Sequence, residues 1–384
     1  MTSAAELVKQ ANALFGAGTV KLGSDSYYKT SFLPTGVFPV DHLLGGGIPR
    51  GRFTEFYGNF STLKSLVALN CIAQTQKIGG TCVLIDTEHS FDPEWAESVG
   101  VDVNELILQQ PDNGEEAIDL TEAFIRAGVD LVVWDSVAAT LPKAEQEKKS
   151  TEPVQPARLA ALMSAGLRKL NTANKNHTAI LCINQVREKV GIVFGSNESV
   201  PGGRALPFYA SHRICMRKSG VEKRKVKVHN GEKYEDTTEY VGQRIRATLE
   251  KSKLTAPHRE ASFLYDFATA AVDEVMYIVG QGLEAGHIES TGQSWEISGS
   301  GNSIRGRENF INWLREQTEE LETLKTALMS QTLPLVSLGE SELPKKKVAK
   351  QNAVSSSSTE DESTLEVEQV ESKMTAPRKK KISK

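Results

Sequence analysis

The sequence predicts an α/β protein: a parallel sheet carrying a nucleotide site, with an outlying N-terminal helix, a small α/β C-terminal domain and a charged, disordered tail. Three observations predict it. Residues 81–86, 130–135 and 179–184 are nearly continuous apolar runs, the pattern of strands covered on both faces, and the helical stretches between them suit parallel crossovers. Between the first strand and the helix after it lies Gly58-Asn59-Phe60-Ser61-Thr62-Leu63-Lys64-Ser65, which has the glycine-to-lysine spacing of a phosphate loop. From about Val336 onward the composition turns polar.

The elements follow in order. Leu7, Ala11 and Leu14 fall on one face of a helix from Ala4 to Phe15, which Gly16-Ala17-Gly18 stops. The turn cluster Gly45-Gly46-Gly47-Ile48-Pro49-Arg50-Gly51 leads into a strand over Arg52–Tyr57 that opens the main domain. Arg213–Lys218 and Arg244–Glu250 read as later strands, the second running into Lys251-Ser252-Lys253. After about Ala271 comes a small mixed region with Trp295 and a helix carrying Phe310, Ile311, Trp313 and Leu314. Beyond it Ser355–Ser358, the acidic Glu360-Asp361-Glu362 and the basic Lys345–Lys347 and Arg378–Lys381 cannot bury enough apolar area to order themselves. The expected divisions are residues 1–35, 36–270, 271–335 and 336–384.

Composition bounds the function. A chain of 384 residues with 39% hydrophobic content suits one large domain with appendages. No run approaches the roughly twenty apolar residues that cross a bilayer, and the polar start lacks a secretory centre, so a cytoplasmic location and no membrane partner are expected. Cys71, Cys82, Cys182 and Cys215 are scattered singly, which excludes metal spacing and a disulfide scaffold. With a formal charge of −4, any nucleic-acid binding must come from local basic loops.

In the phosphate loop, backbone N–H groups wrap phosphates, Lys64 reaches the terminal ones and the Ser65 hydroxyl ligates magnesium. Leu63 stands where the motif has glycine. An ordinary turn between strand and helix would share the first glycine, so the motif needs partners. Two carboxylates supply them at the carboxyl ends of predicted strands, where ligands collect in open α/β sheets. Asp135 follows Leu131–Trp134 and suits a magnesium-holding aspartate acting through water; Glu88 follows Val83–Thr87 and suits the group that orients or deprotonates an attacking water.

These stretches, with Ile85-Asp86-Thr87-Glu88-His89, Gln110-Pro111-Asp112, Asp135-Ser136-Val137-Ala138-Ala139, Ile183-Asn184-Gln185-Val186-Arg187, Pro201-Gly202-Gly203 and Phe208-Tyr209-Ala210-Ser211, occur in order, and the chain from about Ala4 to the C-terminal domain resembles the bacterial RecA recombinases. The resemblance implies a RecA-like core with an N-terminal polymerisation segment, and an ATPase using ATP and Mg2+. It also implies a filament of many copies on single-stranded DNA that pairs with homologous duplex DNA, aided by loading or single-strand-binding proteins.

It further implies Glu88 as the catalytic glutamate, Asp92 and Trp95 at the adenine, Gln185 as γ-phosphate sensor, and Lys251 and Lys253 reaching a neighbouring subunit's ATP. DNA would be held by two loops, roughly residues 145–155 and 188–207, with Arg168, Arg187, Lys189, Val190, Gly202, Gly203 and Arg204 as contacts. Departures from the family are Leu63, a dissimilar first loop, Ala161 in place of an arginine and Glu188 in place of an apolar residue. They fit a divergent, phage-type member working in a bacterial or phage-infected cell. The competing readings are an accessory that binds ATP and DNA without hydrolysis, and a ring-forming helicase of the same core fold.

Overall fold

The structure is a computed structural model, and it describes residues 2–148, 156–188, 198–229 and 233–331. The proposed tail and parts of both proposed DNA loops lie outside the described residues.

The chain begins with α1 (Ala4–Phe15), then β1 (Phe32–Leu33), α2 (Phe38–Leu44) and β2 (Ile48–Pro49), which pairs with β1. Strands and helices then alternate: β3 (Phe53–Gly58), α3 (Lys64–Lys77), β4 (Cys82–Asp86), α4 (Pro93–Val99), β5 (Leu106–Gln109), α5 (Gly114–Ala127) and β6 (Leu131–Asp135). There follow α6 (Lys143–Gln146), α7 (Pro156–Ala173), β7 (Ala179–Gln185) and the short pair β8 (Arg187–Glu188) and β9 (Glu198–Ser199). After α8 (Ala205–Tyr209) come β10 (His212–His229), β11 (Tyr234–Ser252), β12 (Glu260–Asp266) and β13 (Ala271–Asp273). The described chain closes with α9 (Val275–Glu284), a small antiparallel sheet of β14 (Ile288–Thr291), β15 (Ser294–Ile297) and β16 (Ile304–Arg305), α10 (Arg307–Glu316) and α11 (Thr318–Gln331).

Among the described residues the main sheet has the order β13-β12-β11-β10-β3-β7-β6-β4-β5. From β10 to β5 the neighbours are parallel, and from β10 to β13 they are antiparallel. Strand alternation divides the core in two. Phe56, Leu84, Val133, Leu181 and Ile183 face Val67, Cys71 and Ile72 of α3, whereas Phe53, Ile85, Val132, Trp134 and Ile180 face Ile118 and Ile125 of α5 and Met163 and Leu167 of α7. Both faces are therefore dry, which is why these strands lack polar alternation. A third cluster joins α9, α10 and α11 through Ile278, Phe310, Leu314 and Leu324, with Phe38 of α2 packed into it.

The helix at residues 4–15 forms as expected, with the Ser3 hydroxyl accepting from Glu6 N and Gly16 at φ +104° ending it. None of its residues is buried; Leu14 is 80% and Phe15 74% exposed, so its apolar face has no partner among the described residues. All four cysteines are free and buried, as their spacing implied. No helix among the described residues is long and apolar enough to cross a membrane.

Two strands are far longer than the sequence reading gave. Strands β10 and β11 pair along nearly their whole length, but β3 pairs with β10 only over His212–Met216, and β12 with β11 only over Gly242–Thr248. Beyond those limits runs a two-stranded ribbon. Its Lys-, Arg- and Glu-rich segments lack an apolar face because no layer covers them. The dipeptide Asn230-Gly231 between two alternating segments was the available hairpin signal.

His212 enters the interior at the start of β10 and is fully buried, opposite Thr54 of β3. Both ring nitrogens and the Thr54 hydroxyl lack partners among the described residues. Burial, aided by the Arg52 charge, pushes the imidazole down from 6.5 to about 4. Because the folded value lies below the unfolded one, the unfolded chain takes the proton first as pH falls below about 6.5. The neutral ring's stabilisation is therefore present above that pH and lost progressively toward pH 4. The stability margin of His212→Val over wild type should grow by about 2 kcal/mol between pH 7.5 and pH 5, read by denaturant unfolding. A margin independent of pH would contradict the neutral buried ring.

Candidate nucleotide site and its link to the second loop

Because β3, β4, β6 and β7 are parallel neighbours in one sheet, their carboxyl ends reach one crevice. Gly58 ends β3 with φ +159°, and a Cβ there would lie 2.1 Å from Met216 O, so only glycine lets the chain turn away from β10. Residues 59–63 then arch into α3. Lys64 is 7% exposed, and its ammonium donates to Gly58 O (3.2 Å), Asn59 O (2.8 Å) and Thr62 Oγ1 (3.1 Å). Desolvation lowers its pKa, opposed by Asp135 and Glu88. A cation held among carbonyls at a helix start is arranged to meet an anion.

Ser61 and Leu63 both have positive φ, +52° and +63°. Leu63 is the residue before α3, in the left-handed region with ψ 22°, and its side chain packs against the core beneath α3. A left-handed non-glycine residue costs about 1–3 kcal/mol, offset here in part by that packing. Phe60 is 82% exposed, with Lys218 Nζ 5.2 Å from its ring centre, and Gln243 of β11 donates to Ser61 O at 2.6 Å. Sequence reasoning missed both hairpin residues, because nothing local marks a side chain that arrives from almost two hundred residues away.

The Ser65 hydroxyl donates to Asp135 Oδ2 at 2.6 Å. Burial first, then the nearby Glu88 and Asp86 charges, raises Asp135 from 3.8 to about 6. A hydroxyl and a carboxylate are hard oxygen donors that suit Mg2+ completed by water and phosphate oxygens, and a cation would relieve the crowding of negative charge. Among the described residues no group of three or more His, Cys, Asp or Glu side chains could hold a metal, so the magnesium assignment needs phosphate ligands.

Glu88 is exposed at the crevice, and its Oε1 accepts from Ser136 Oγ (2.5 Å) and from Gln185 Nε2 (2.7 Å). Two donors on one oxygen leave Oε2 as the freer acceptor for a water. Asp86, buried at the end of β4, fixes the turn that presents Glu88: it accepts from Glu88 N, Phe91 N and Gln110 Nε2. The quoted Gln110-Pro111-Asp112 stretch thereby acquires a physical role. Asp92 caps α4 by accepting from Trp95 N at 2.9 Å. Asp92 and Trp95 line a cavity of 170 Å³ that also touches Ser65, Asp86 and Asp135. That volume is of the order that takes one aromatic ring, since a cavity of about 150 Å³ holds benzene.

The remaining expected residues divide by location. Arg168 is exposed on α7, donating to Ser164 O, and Arg187 and Arg204 are exposed at either end of the second loop. Gly202 and Gly203 have φ +86° and +74°; Gly202 is buried against Val137 and Met163, and a Cβ on Gly203 would lie 2.7 Å from Ala160 Cβ. Their smoothness thus seats the loop's exit on α7. Lys189 and Val190 lie outside the described residues. Lys251 donates to Pro207 O and Phe208 O and Lys253 to Phe208 O. Within one chain they do not join the phosphate loop.

The RecA N-terminal domain family matches residues 3–270. The chain belongs to the RecA family. It is 43% identical over 319 residues to Protein RecA of Thermus aquaticus, covering 82% of this chain and 90% of that protein. To Protein RecA of Caulobacter vibrioides it is 38% identical over 325 residues, 83% and 86% of the two chains, and to that of Clostridium novyi 41% over 313 residues, 80% and 85%. Its function is that of a RecA recombinase, and membership implies a DNA-dependent ATPase that binds ATP with Mg2+.

Glycine is free of the left-handed penalty that Leu63 carries, and a displacement of about 1 Å at a catalytic loop can cost on the order of a hundredfold in rate. Leu63→Gly should therefore raise single-turnover ATP hydrolysis on the order of tenfold with little change in ATP affinity, since leucine keeps its backbone N–H. An unchanged or lower rate in quenched-flow measurements would show that the loop accommodates leucine and that this residue does not limit catalysis.

Proposed function

We propose that the chain polymerises on single-stranded DNA in an ATP-dependent manner and exchanges that strand with a homologous duplex, hydrolysing ATP to release the product. The observation that carries the reading is Gln185: it ends β7, bonds the proposed catalytic Glu88 at 2.7 Å and stands two residues before β8, where the second loop leaves the sheet. One side chain thus lies between the hydrolytic carboxylate and the loop proposed to hold DNA.

In this reading Lys64 and the backbone of residues 58–65 bind the phosphates, while Ser65 and Asp135 hold Mg2+, which supplies neutralisation of phosphate charge. Asp92 and Trp95 take the adenine. Glu88 orients or deprotonates the water, and Lys251 and Lys253 complete a neighbouring copy's site. Arg168, Arg187 and Arg204, with Lys189, Val190 and the glycine pair, contact the DNA backbone, so homology is read by base pairing and not by a base-edge code. Residues 1–35 form the polymerisation segment, 36–270 the ATPase core and 271–335 a C-terminal domain, with residues 336–384 a tail; the work is done in the cytoplasm of a bacterial or phage-infected cell, with loading or single-strand-binding proteins as partners.

The left-handed Leu63 favours one alternative, an accessory that binds ATP and DNA without turnover. Strand exchange between circular single strands and homologous linear duplex in ATP–Mg2+ separates the two. Wild type should form joint molecules and hydrolyse ATP, and Glu88→Gln should lower hydrolysis by about a hundredfold or more, within the range of general-base effects. Equal turnover by the two proteins would remove Glu88 from the chemistry; joint molecules from neither would favour the accessory.

Deleting residues 1–15 should leave ATP affinity intact and abolish long filaments in electron micrographs, because the exposed Leu7, Leu14 and Phe15 face lacks a partner among the described residues. Filaments of undiminished length would reassign that helix.

A further inference from the structure

A second polar structure lies beneath the site and takes no part in the roles above. Glu55, in the middle of β3, is fully buried, three residues before the phosphate loop begins at Gly58. Its Oε2 accepts from Arg213 Nε of β10 at 2.5 Å, and its Oε1 from Asn184 Nδ2 of β7 at 3.1 Å. The Arg213 guanidinium is only partly exposed and lies 4.6 Å from the centre of the Tyr57 ring. Asn184 is fully buried too, and the same Nδ2 donates to Pro201 O at 3.2 Å, while its Oδ1 accepts from Gln185 N at 3.0 Å. Gln185 then donates to Glu88. A continuous chain of hydrogen bonds therefore runs from Arg213 through Glu55 and Asn184 to both ends of the second loop, Gln185 where it begins and Pro201 where it returns.

Burying a charge pair is weak evidence for stability, since apolar residues of similar volume often replace such pairs at no cost. What this arrangement fixes is direction. An ionised carboxylate only accepts hydrogen bonds, and an asparagine side chain can be turned over with little change of shape. Glu55 therefore obliges Asn184 to present its NH2 inward and toward Pro201, leaving its oxygen for Gln185 N. Were the amide reversed, its oxygen would face the carboxylate and the Pro201 carbonyl, and both contacts would be repulsive. Arg213 holds the Glu55 carboxylate in place.

We propose that Glu55 is a positioning residue for the recombinase reaction: paired with Arg213, it fixes the orientation of Asn184 and so couples the Gln185–Glu88 contact to the seating of the second loop at Pro201. This rests on the reading of Gln185 and that loop given above. The coupling is a difference between two states, so removing it alters communication between ATP and DNA and leaves ATP affinity itself untouched.

Glu55→Gln is the test, because it keeps the shape while allowing the new amide to donate as well as accept. Three quantities are measured on the full chain: ATP affinity, the melting temperature, and the ratio of affinities for a fluorescent oligo-dT strand with ATPγS–Mg2+ and with ADP–Mg2+. Wild type should show a ratio well above one. In Glu55→Gln the ratio should fall about fivefold or more, the lower range of typical coupling, with ATP affinity unchanged and DNA-stimulated hydrolysis reduced in step. Arg213→Lys, which keeps the charge but loses the Nε donor, should show the same loss in weaker form and serves as the test if Glu55→Gln does not fold. A ratio kept at the wild-type value overturns the proposal whether or not the melting temperature drops, since a merely structural role would lower only the latter. A wild-type ratio of one overturns the functional reading itself and this proposal with it.

Discussion

The parallel sheet is the constraint on which the site depends. In a parallel run every strand delivers its carboxyl end to the same side, and the register of β3, β4, β6 and β7 brings Gly58, Asp86, Asp135 and Gln185 out there, with Gly58 and Gln185 farther along the strands than Asp86 and Asp135. Asp86 pairs with Asp135 and Gly58 with Gln185 in the ladder itself. Groups that lie far apart in sequence thus meet because backbone hydrogen bonds have already fixed their spacing. The apolar layers on both faces secure that ladder: Ile72 and Cys71 on one side and Ile118 and Leu167 on the other exclude water from the strands. A chemistry that tolerates errors of only about half an ångström is therefore carried on the most rigid part of the molecule.

Above this rigid level the site is built from loops, and each loop is tied down by a named polar bond. Asp86 and Gln110 hold the turn that raises Glu88, and Ser136 and Gln185 hold its carboxylate. The phosphate loop is tied differently, through Lys64 to its own carbonyls and through Gln243 to Ser61. Gln243 belongs to the long β10–β11 hairpin, so the hairpin's base is part of the nucleotide site even though its far end stands clear of the sheet. Arg217, on the same hairpin, makes a bidentate pair with Glu198 at 2.6 and 2.7 Å, beside the return of the second loop. One element therefore touches both the phosphate loop and the return of the second loop.

Much of this was legible in the sequence because it depends on local pattern. The dry strands announced themselves by apolar runs, the phosphate loop by spacing, and Glu88 and Asp135 by following those runs directly, whereas Gln185 was marked by the family resemblance. Family resemblance supplied roles that spacing alone does not. What could not be read was long-range pairing: Glu55 looks like a strand residue facing solvent until Arg213 and Asn184 are brought against it, and Gln243 has no local signal at all. The hairpin's length was misjudged because an uncovered ribbon has no apolar periodicity to display. Leu63 was legible as a departure, but its left-handed conformation was not, since the same residue at a helix start could adopt ordinary helical angles.

The balance of charge explains how a chain with no overall attraction for polyanions can bind two of them. Asp86, Glu88 and Asp135 crowd one end of the crevice against a single lysine, and burial together with that crowding raises Asp135 to about 6. Such a cluster repels phosphate unless a divalent cation accompanies it, so nucleotide and Mg2+ are thermodynamically linked: each raises the affinity of the other. The exposed arginines lie elsewhere: Arg168 is on α7, and Arg187 and Arg204 stand at the two ends of the second loop. Because exposed charges are screened within about 10 Å at ordinary ionic strength, the acidic residues elsewhere on the surface do not cancel them. Net charge therefore carries little information about binding here. What matters is that the sheet separates the two regions by one strand end, and that the glutamine at that end is bonded to the acidic side while its backbone leads to the basic one.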